Sequence, residues 1–474
     1  MTCVPTMLLV SACGANAPTA DGNAETTMDI SSPTRFYVPP PSSGVAQQEK
    51  ALLHARNWKD AARVAALVSL PQAVWFASGS PSDVKAAVEK TMDAAKCERR
   101  VPILVAYNLP FRDCSQYSAG GAADTAAYEA WIDGFAAGIG NGKAVVIVEP
   151  DGLGIVPYNT ELDGTADWCK PTITDAQGNT FAALGASPTE RYAQLNHAVD
   201  SLKALAPNAA VYLDGSHSAW LNVGESAYRL STAGVARAQG FFLNVSNYQY
   251  SANLAQYGTW ISNCLAYAST VKAGDFAGCP SQYWNGGPLP SKIAQLNGEW
   301  NGTALDPSAE WSDGSDTVTL NTSGINLRYA NLLGSVQPTA HFVIDTGRNG
   351  QGPLKVAPFA AAPYDQPASV ISGLQAGNWC NAYGSGLGIR PTSNTGLPLL
   401  DAYLWIKIPG QSDGSCDIAG GARAWDFTVY NPWNLTLDAQ SHFDPEWGLV
   451  DPAAGAWFPE QALQLTQLAN PPLL

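Results

Sequence analysis

The stretch Ala144–Gly154, AVVIVEPDGLG, is apolar from Ala144 to Val148 and then stops on two acids, Glu149 and Asp151, on either side of Pro150. A half-exposed antiparallel strand alternates apolar and polar residues. A short β-branched run that is apolar throughout suits a parallel strand covered on both faces. The acids therefore fall where the strand leaves the core. The same pattern, an apolar run ending in a polar cluster, recurs at Ala73–Ser80, Pro102–Cys114, Ala210–Trp220, Gly240–Tyr248, His341–Gly350 and Ala402–Gly414. With the first run, that makes seven strands.

Helical spacing fills several of the intervals. Val84, Ala87, Val88, Thr91 and Ala95 follow a Ser82 cap; Tyr128, Trp131, Ile132, Phe135 and Ile139 share a face; Tyr192, Leu195, Val199 and Leu202 follow Pro188. Strand and helix in alternation give an α/β class with a parallel sheet or barrel. In such barrels the active face is built at the C-terminal strand ends, where Glu149, Asp151 and the other polar clusters sit.

Composition narrows the partners. Charged residues make up 14% of the chain, below the roughly 25% usual in globular proteins, while 15 Trp and 18 Tyr fill the gap. Flat amphipathic rings serve as stacking surfaces for sugar faces, although any one of them can equally be core. The net charge of −15 argues against nucleic acid and anionic membrane as partners, since both need a positive surface. A neutral substrate fits.

Residues 1–34 read as an export segment. A short apolar stretch leads to Val10-Ser11-Ala12-Cys13, which resembles a lipoprotein signal with Cys13 as the acylated residue, and a Pro-, Gly-, Ala-, Thr- and Asp-bearing tract follows; a plain secretion signal accounts for the same pattern. No other stretch is long and apolar enough to span a bilayer. Nine cysteines without zinc-site spacing point to disulfides in an oxidising compartment. Setting Cys3 and Cys13 aside leaves an odd number, and Cys97, on a helix, is the one expected to be left over.

The segments VAYNLPFRDCSQYSAGG (Val105–Gly121) and VIVEPDGLG (Val146–Gly154) resemble the two signature motifs of glycoside hydrolase family 6, the cellobiohydrolases and endoglucanases of β-1,4-glucan. LDGSHSAW, NVSNY, IDTGRNG, GNWCN, GIRPTSNTG, WIKIPGQSDG and AAGAWF resemble further family segments in the same order, so the likeness runs over 35–474. The resemblance implies one catalytic domain with a distorted seven-stranded parallel β/α barrel. It also implies hydrolysis with inversion, needing no metal or cofactor, and cellulose or cello-oligosaccharides as partners of a monomeric, secreted enzyme.

Inversion needs a protonated carboxyl to protonate the leaving oxygen and a second group to take a proton from water on the opposite sugar face. By resemblance Asp151 is the acid, and Asp113 is the neighbour whose charge raises the acid's pKa. An Arg112–Asp113 ion pair is the structural alternative for Asp113, and Glu149 reads as structural. Asp413 matches the base, with a water relay ending at Asp113 as the alternative. Gln411 stands where many members carry Glu, which removes a negative charge beside Lys407. Tyr107 matches a tyrosine near the scissile sugar, Trp75, Trp220 and Trp379 match stacking platforms, and Lys407, His217, Asp214 and Asn247 are expected to contact hydroxyls. The family further implies the disulfide pairs Cys114 with Cys169 and Cys380 with Cys416, leaving Cys264 with Cys279.

Retention of all three aspartates favours an enzyme over a carbohydrate-binding relative that has lost catalysis. The stretch from Asn247 to Asp345 and the extension after Asp413 are both far longer than the ~2–6 residues of a βα connection. They are expected to roof the cleft, as in an exo-acting cellobiohydrolase, rather than to decorate a remote surface.

Overall fold

The computed structural model describes residue 30 and residues 33–115, 118–283, 304–415 and 423–474. The expected lipidation residue Cys13, the Trp- and Gly-rich stretch 284–303 and Cys416 lie outside the described residues. Seven strands form one parallel sheet in the order β1 (Val74–Phe76), β2 (Ile103–Ala106), β3 (Val145–Val148), β6 (Ala210–Asp214), β7 (Gly240–Leu243), β8 (His341–Asp345) and β9 (Leu400–Leu404). Each falls inside, or within two residues of, one of the seven apolar runs. The other two strands, β4 (Thr172–Thr174) and β5 (Thr180–Ala182), make a separate exposed hairpin.

The alternation of side chains along each strand explains why the runs are apolar throughout. Ile103, Val105, Val145, Ile147, Tyr212 and Val343 point to one core inside the curl of the sheet. Their neighbours Leu104, Val146, Val148, Leu213 and Ile344 point to the other, under the helices. The sheet curls far enough for its edges to meet, because Ala73 N donates to Trp405 O at 3.0 Å and the Trp75 indole N–H donates to Ile406 O at 2.8 Å. This single seam closes a distorted barrel. Ile30 is fully buried in the inner core and Thr34 N donates to Ser393 Oγ, so the folded body includes residues just ahead of 35.

The helices start where local chemistry dictates. The helix Pro81–Cys97 is capped by Ser80, not by the expected Ser82. Ser80 Oγ accepts from Asp83 N while the Asp83 carboxylate accepts from Ser80 N, a reciprocal box that needs a spacing of three. Thr125–Ile139 follows an Asp124 cap, and Pro188–Leu205 follows a Ser187 cap. Two expected disulfides are present, Cys114–Cys169 and Cys264–Cys279. Cys380 is also disulfide-bonded. Cys97 is disulfide-bonded as well, contrary to the expectation that it is left over; a parity count that drops the first two cysteines cannot assign it.

A smaller aromatic core sits outside the barrel. Val356, Phe359, Val370, Leu374, Trp425 and Phe427 are buried together, with Tyr364, Trp379, Tyr430 and Trp433 against them. It joins the long C-terminal extension to the segment 354–379.

Candidate active site

The C-terminal strand ends carry a concentration of non-glycine residues in the left-handed region. These are Asp113 (φ 53°), Glu149 (55°), Asp151 (63°), Ser216 (58°), Asn244 (71°) and Ser246 (62°). Side chains other than glycine pay of order 1–3 kcal/mol there, and such residues persist where surrounding contacts over-determine them. The contacts around Asp151 do this. Its loop presents N–H groups at Leu153 and Gly154, and both donate to Asp214 Oδ2 at 3.1 and 2.9 Å. Its carbonyls are taken by two buried arginines: Arg191 binds Gly152 O and Ile155 O, and Arg229 binds Leu153 O and Gly154 O. Gly154 is required by packing, since a Cβ there would lie 2.5 Å from the Trp220 ring.

Glu149 accepts from the amides of Asn108 and Leu109 at 2.8–3.0 Å and is 1% exposed. It ties the end of β3 to the end of β2, the structural part expected of it, and burial raises its pKa to about 7. Asp214, expected to contact sugar hydroxyls, is 4% exposed, and its second oxygen takes Ser216 N. It thereby ties the Asp151 loop to the backbone that follows β6.

Burial pushes the Asp151 carboxyl well above its usual range, and repulsion from Asp214, Asp113 and Asp413 adds to this in that order, against the attraction of Lys407. Tyr107 lies in the same field: burial, Asp151 and Asp113 all raise its phenol. The Tyr107 ring meets Trp75 edge-on at 5.3 Å and carries the Arg112 guanidinium 4.5 Å from its centre. Arg112 donates to the carbonyls of Ala77, Tyr107 and Ser118, while Asp113 accepts from Ser118 N at 2.8 Å.

Asp413 has the opposite setting. Arg348 Nη1 lies 2.8 Å from Oδ2 and Lys407 Nζ lies 2.9 Å from Oδ1. Although burial raises its pKa, the two cations outweigh it and hold the carboxyl far below the ordinary range. Arg348 is 1% exposed, stacks 4.5 Å from the centre of the Tyr248 ring and donates to Ser246 O. It lies within the IDTGRNG segment, at positions 344–350. An arginine beside glycine and asparagine in a loop carries no local sign that it faces a carboxylate some sixty residues on.

The remaining expected residues divide. His217 packs against Trp220 with ring centres 5.7 Å apart, and burial lowers its pKa to about 3, so it is neutral. Trp379 meets Tyr248 edge-on at 5.1 Å and donates to Leu374 O, placing it between the small aromatic core and Arg348. Asn247 spends an amide hydrogen on Val245 O, and Gln411 pairs with Trp457 in an isolated antiparallel bridge. Among the described residues no cluster of three or more His, Cys, Asp or Glu could hold a metal, and no helix is long and apolar enough to cross a membrane.

The chain is 30% identical over 352 residues to Endoglucanase A of Thermobispora bispora, covering 73% of this chain and 52% of that protein. It is 27% identical over 389 residues to the probable 1,4-beta-D-glucan cellobiohydrolase C of Aspergillus terreus, covering 77% and 59%. The chain thus spans a little over half the length of each. Among solved structures, the endoglucanase Cel6 from Mycobacterium tuberculosis, in complex with methyl-cellobiosyl-4-deoxy-4-thio-beta-D-cellobioside, superposes with a TM-score of 0.54 at 27% identity, covering 93% of this chain and 99% of that one. The family model of glycosyl hydrolases family 6 matches residues 31–469. With the barrel and the aspartates at its rim, that match shows that the chain belongs to glycosyl hydrolases family 6.

Proposed function

We propose that this protein is a cellulase that hydrolyses β-1,4-glucosidic bonds with inversion. The observation that carries this reading is the opposite setting of two carboxylates on one rim: Asp151 crowded by other acids, Asp413 gripped by two cations. Environments that push two carboxyl groups apart assign the acid and its ionised counterpart. Asp151, its pKa raised by burial and by the neighbouring acids, holds a proton above the usual carboxylate range and gives it to the leaving oxygen. Asp413, ionised until the chemical step, stabilises the cationic sugar of the transition state, orients the water that attacks the opposite face and takes that water's proton. Asp113 supplies part of the repulsion that keeps Asp151 protonated. Tyr107, Trp75 and Trp220 form the apolar side of the sugar path, and Lys407 and His217 offer hydroxyl contacts.

A second reading of the base follows from the same ion pairs. Two cations weaken Asp413 as a proton acceptor, and a water relay ending at Asp113 then takes the proton. Azide separates the two, because a small anion restores turnover in whichever alanine variant, D413A or D113A, has lost the group that serves the water.

The mode of attack is read as exo, with cellobiose released processively from non-reducing chain ends. Three observations support it. The Cys264–Cys279 bridge braces the start of the long insertion. Gln282 pins that insertion to the rim beside Trp220 by donating to Ser218 O and Leu221 O. The aromatic core at 354–379 and 423–443 gives the C-terminal extension a rigid body of its own. The competing reading, an open-cleft endoglucanase, draws on the names of two of the similar proteins. Viscosity of carboxymethylcellulose decides: an exo enzyme releases soluble sugar with little fall in viscosity, an endo enzyme does the reverse. Export from the cell, with or without a lipid on Cys13, belongs to the same proposal and is supported by the disulfides.

A further inference from the structure

Asn381 is fully buried, with φ of 50°, and its side-chain amide touches three consecutive residues of the Asp413 loop. Its Oδ1 accepts from Asp413 N at 2.8 Å, and its Nδ2 donates to Ser412 Oγ at 3.2 Å and to Gly414 O at 3.1 Å. Its own backbone N–H points at Asp413 Oδ2 at 3.3 Å. The same Nδ2 donates to Asp451 Oδ2 at 2.9 Å, and the backbone carbonyl of Asn381 accepts from the Trp447 indole at 2.6 Å. Asp451 and Trp447 belong to the C-terminal extension. One amide therefore joins that extension to the ionised carboxylate of the site.

The charges behind Asn381 do not balance as written. Arg423 lies 2.5 Å from Asp444 and 3.4 Å from Asp451, with all three side chains only 1–2% exposed. Glu446, on the same segment, adds a further acid whose pKa burial raises to about 7. One arginine faces several acids. Asp451 Oδ1 is buried and receives no hydrogen bond from the described residues, whereas Asp444 Oδ2 has Arg423 Nη2 at 2.5 Å. A proton on Asp451 Oδ1, donated towards Asp444, satisfies that atom and leaves Oδ2 of Asp451 to accept from Asn381. Burial and the Asp444 charge raise the pKa of Asp451 to about 8, in the same direction.

We propose that Asn381 is a positioning residue for Asp413, and that a proton shared by Asp451 and Asp444 keeps its amide in that setting. This rests on the reading that Asp413 takes part in the reaction. Asp451→Asn mimics the protonated acid, with a carbonyl to accept from Asn381 and an NH2 to donate to Asp444. Asp451→Ala removes both.

The test is a kinetic comparison on cellotetraose at pH 6 of the full chain and the variants N381A, D451A, D451N, D413N and N381A/D413N. A misplacement near 1 Å costs about 100-fold. N381A and D451A are therefore expected to lose ~10- to 100-fold in kcat with KM within about twofold of the unmodified chain. D451N is expected to keep its kcat, and the double variant to be no slower than D413N alone. A purely structural part for Asn381 gives losses that multiply in the double variant, or that fall on KM, and either result overturns the proposal. If N381A does not fold, the D451A and D451N pair decides, because equal damage from both excludes the shared proton. Unchanged kcat in D413N removes the underlying reading of Asp413 and the proposal with it, and is distinguishable from multiplying losses.

Discussion

Arg348 grips Asp413 with its Nη1 2.8 Å from Oδ2, both groups lying within the barrel rim and the arginine 1% exposed. Removing the arginine leaves Asp413 buried with Lys407 as its cation. The loss of a positive neighbour raises the Asp413 pKa towards the usual carboxylate range, so the acid limb of the kcat profile moves to higher pH. R348A is expected to show that shift together with a fall in kcat of ~100-fold, in line with losing one aimed electrostatic group. R348K is expected to recover only part, since a lysine cannot keep both the planar contact with Tyr248 and the link to Ser246 O. A pH–rate profile of the two variants checks both statements.

On the proposed reading Asp151 supplies the proton, so D151N is expected to cut turnover of cellulose by ~100-fold or more, with thermal unfolding unchanged. Substrates whose leaving group needs no proton, such as a dinitrophenyl cellobioside, should lose far less. Equal losses on both substrates would show that Asp151 does not protonate the leaving oxygen.

On the same reading the alkaline limb of activity belongs to Asp151. Its pKa is raised, so the active protonated form persists above the usual carboxylate range and is lost as pH rises through the folded value. D113N takes away one of the negative charges that raise it. Its alkaline limb is therefore expected to move to lower pH, measured as kcat/KM. A shift upward contradicts the assignment of Asp113 as a source of repulsion.

Much of this site could be read in the residues themselves, and what could not has a common cause. The apolar runs located all seven strands of the sheet because a parallel strand buried on both faces needs apolar residues in succession. Glu149 was legible as structural because it immediately follows an apolar strand, within reach of the neighbouring one. Asp214, Arg191, Arg229 and Arg348 were missed or misassigned. Each acts on a loop brought alongside by strand order, and neither their spacing nor their type tells a sugar contact from a backbone contact. Cys97 failed for a similar reason, since parity assigns a disulfide only when every cysteine is counted. The cap at Ser80 is a smaller case: Ser80 and Ser82 both precede the helix, and only Asp83 three residues after Ser80 distinguishes them.

The Cys264–Cys279 bridge closes a loop with a sequence separation of 15, for which chain entropy gives about 3 kcal/mol. C264S/C279S is expected to unfold at lower temperature and to raise the share of cellotriose and longer products from cellulose, because Gln282 then holds the rim beside Trp220 less firmly. Chromatography of the soluble products shows the change. A product pattern identical to that of the unmodified chain would separate this loop from the mode of attack.

The most direct test of the central claim is proton NMR of the first products of cellotetraose or cellopentaose hydrolysis, recorded before mutarotation. With Asp151 giving a proton on one face and water entering from the other, the new reducing end appears first as the α-anomer and drifts to the equilibrium mixture. A β-anomer at the earliest time would mean a double displacement and would contradict the roles assigned to Asp151 and Asp413.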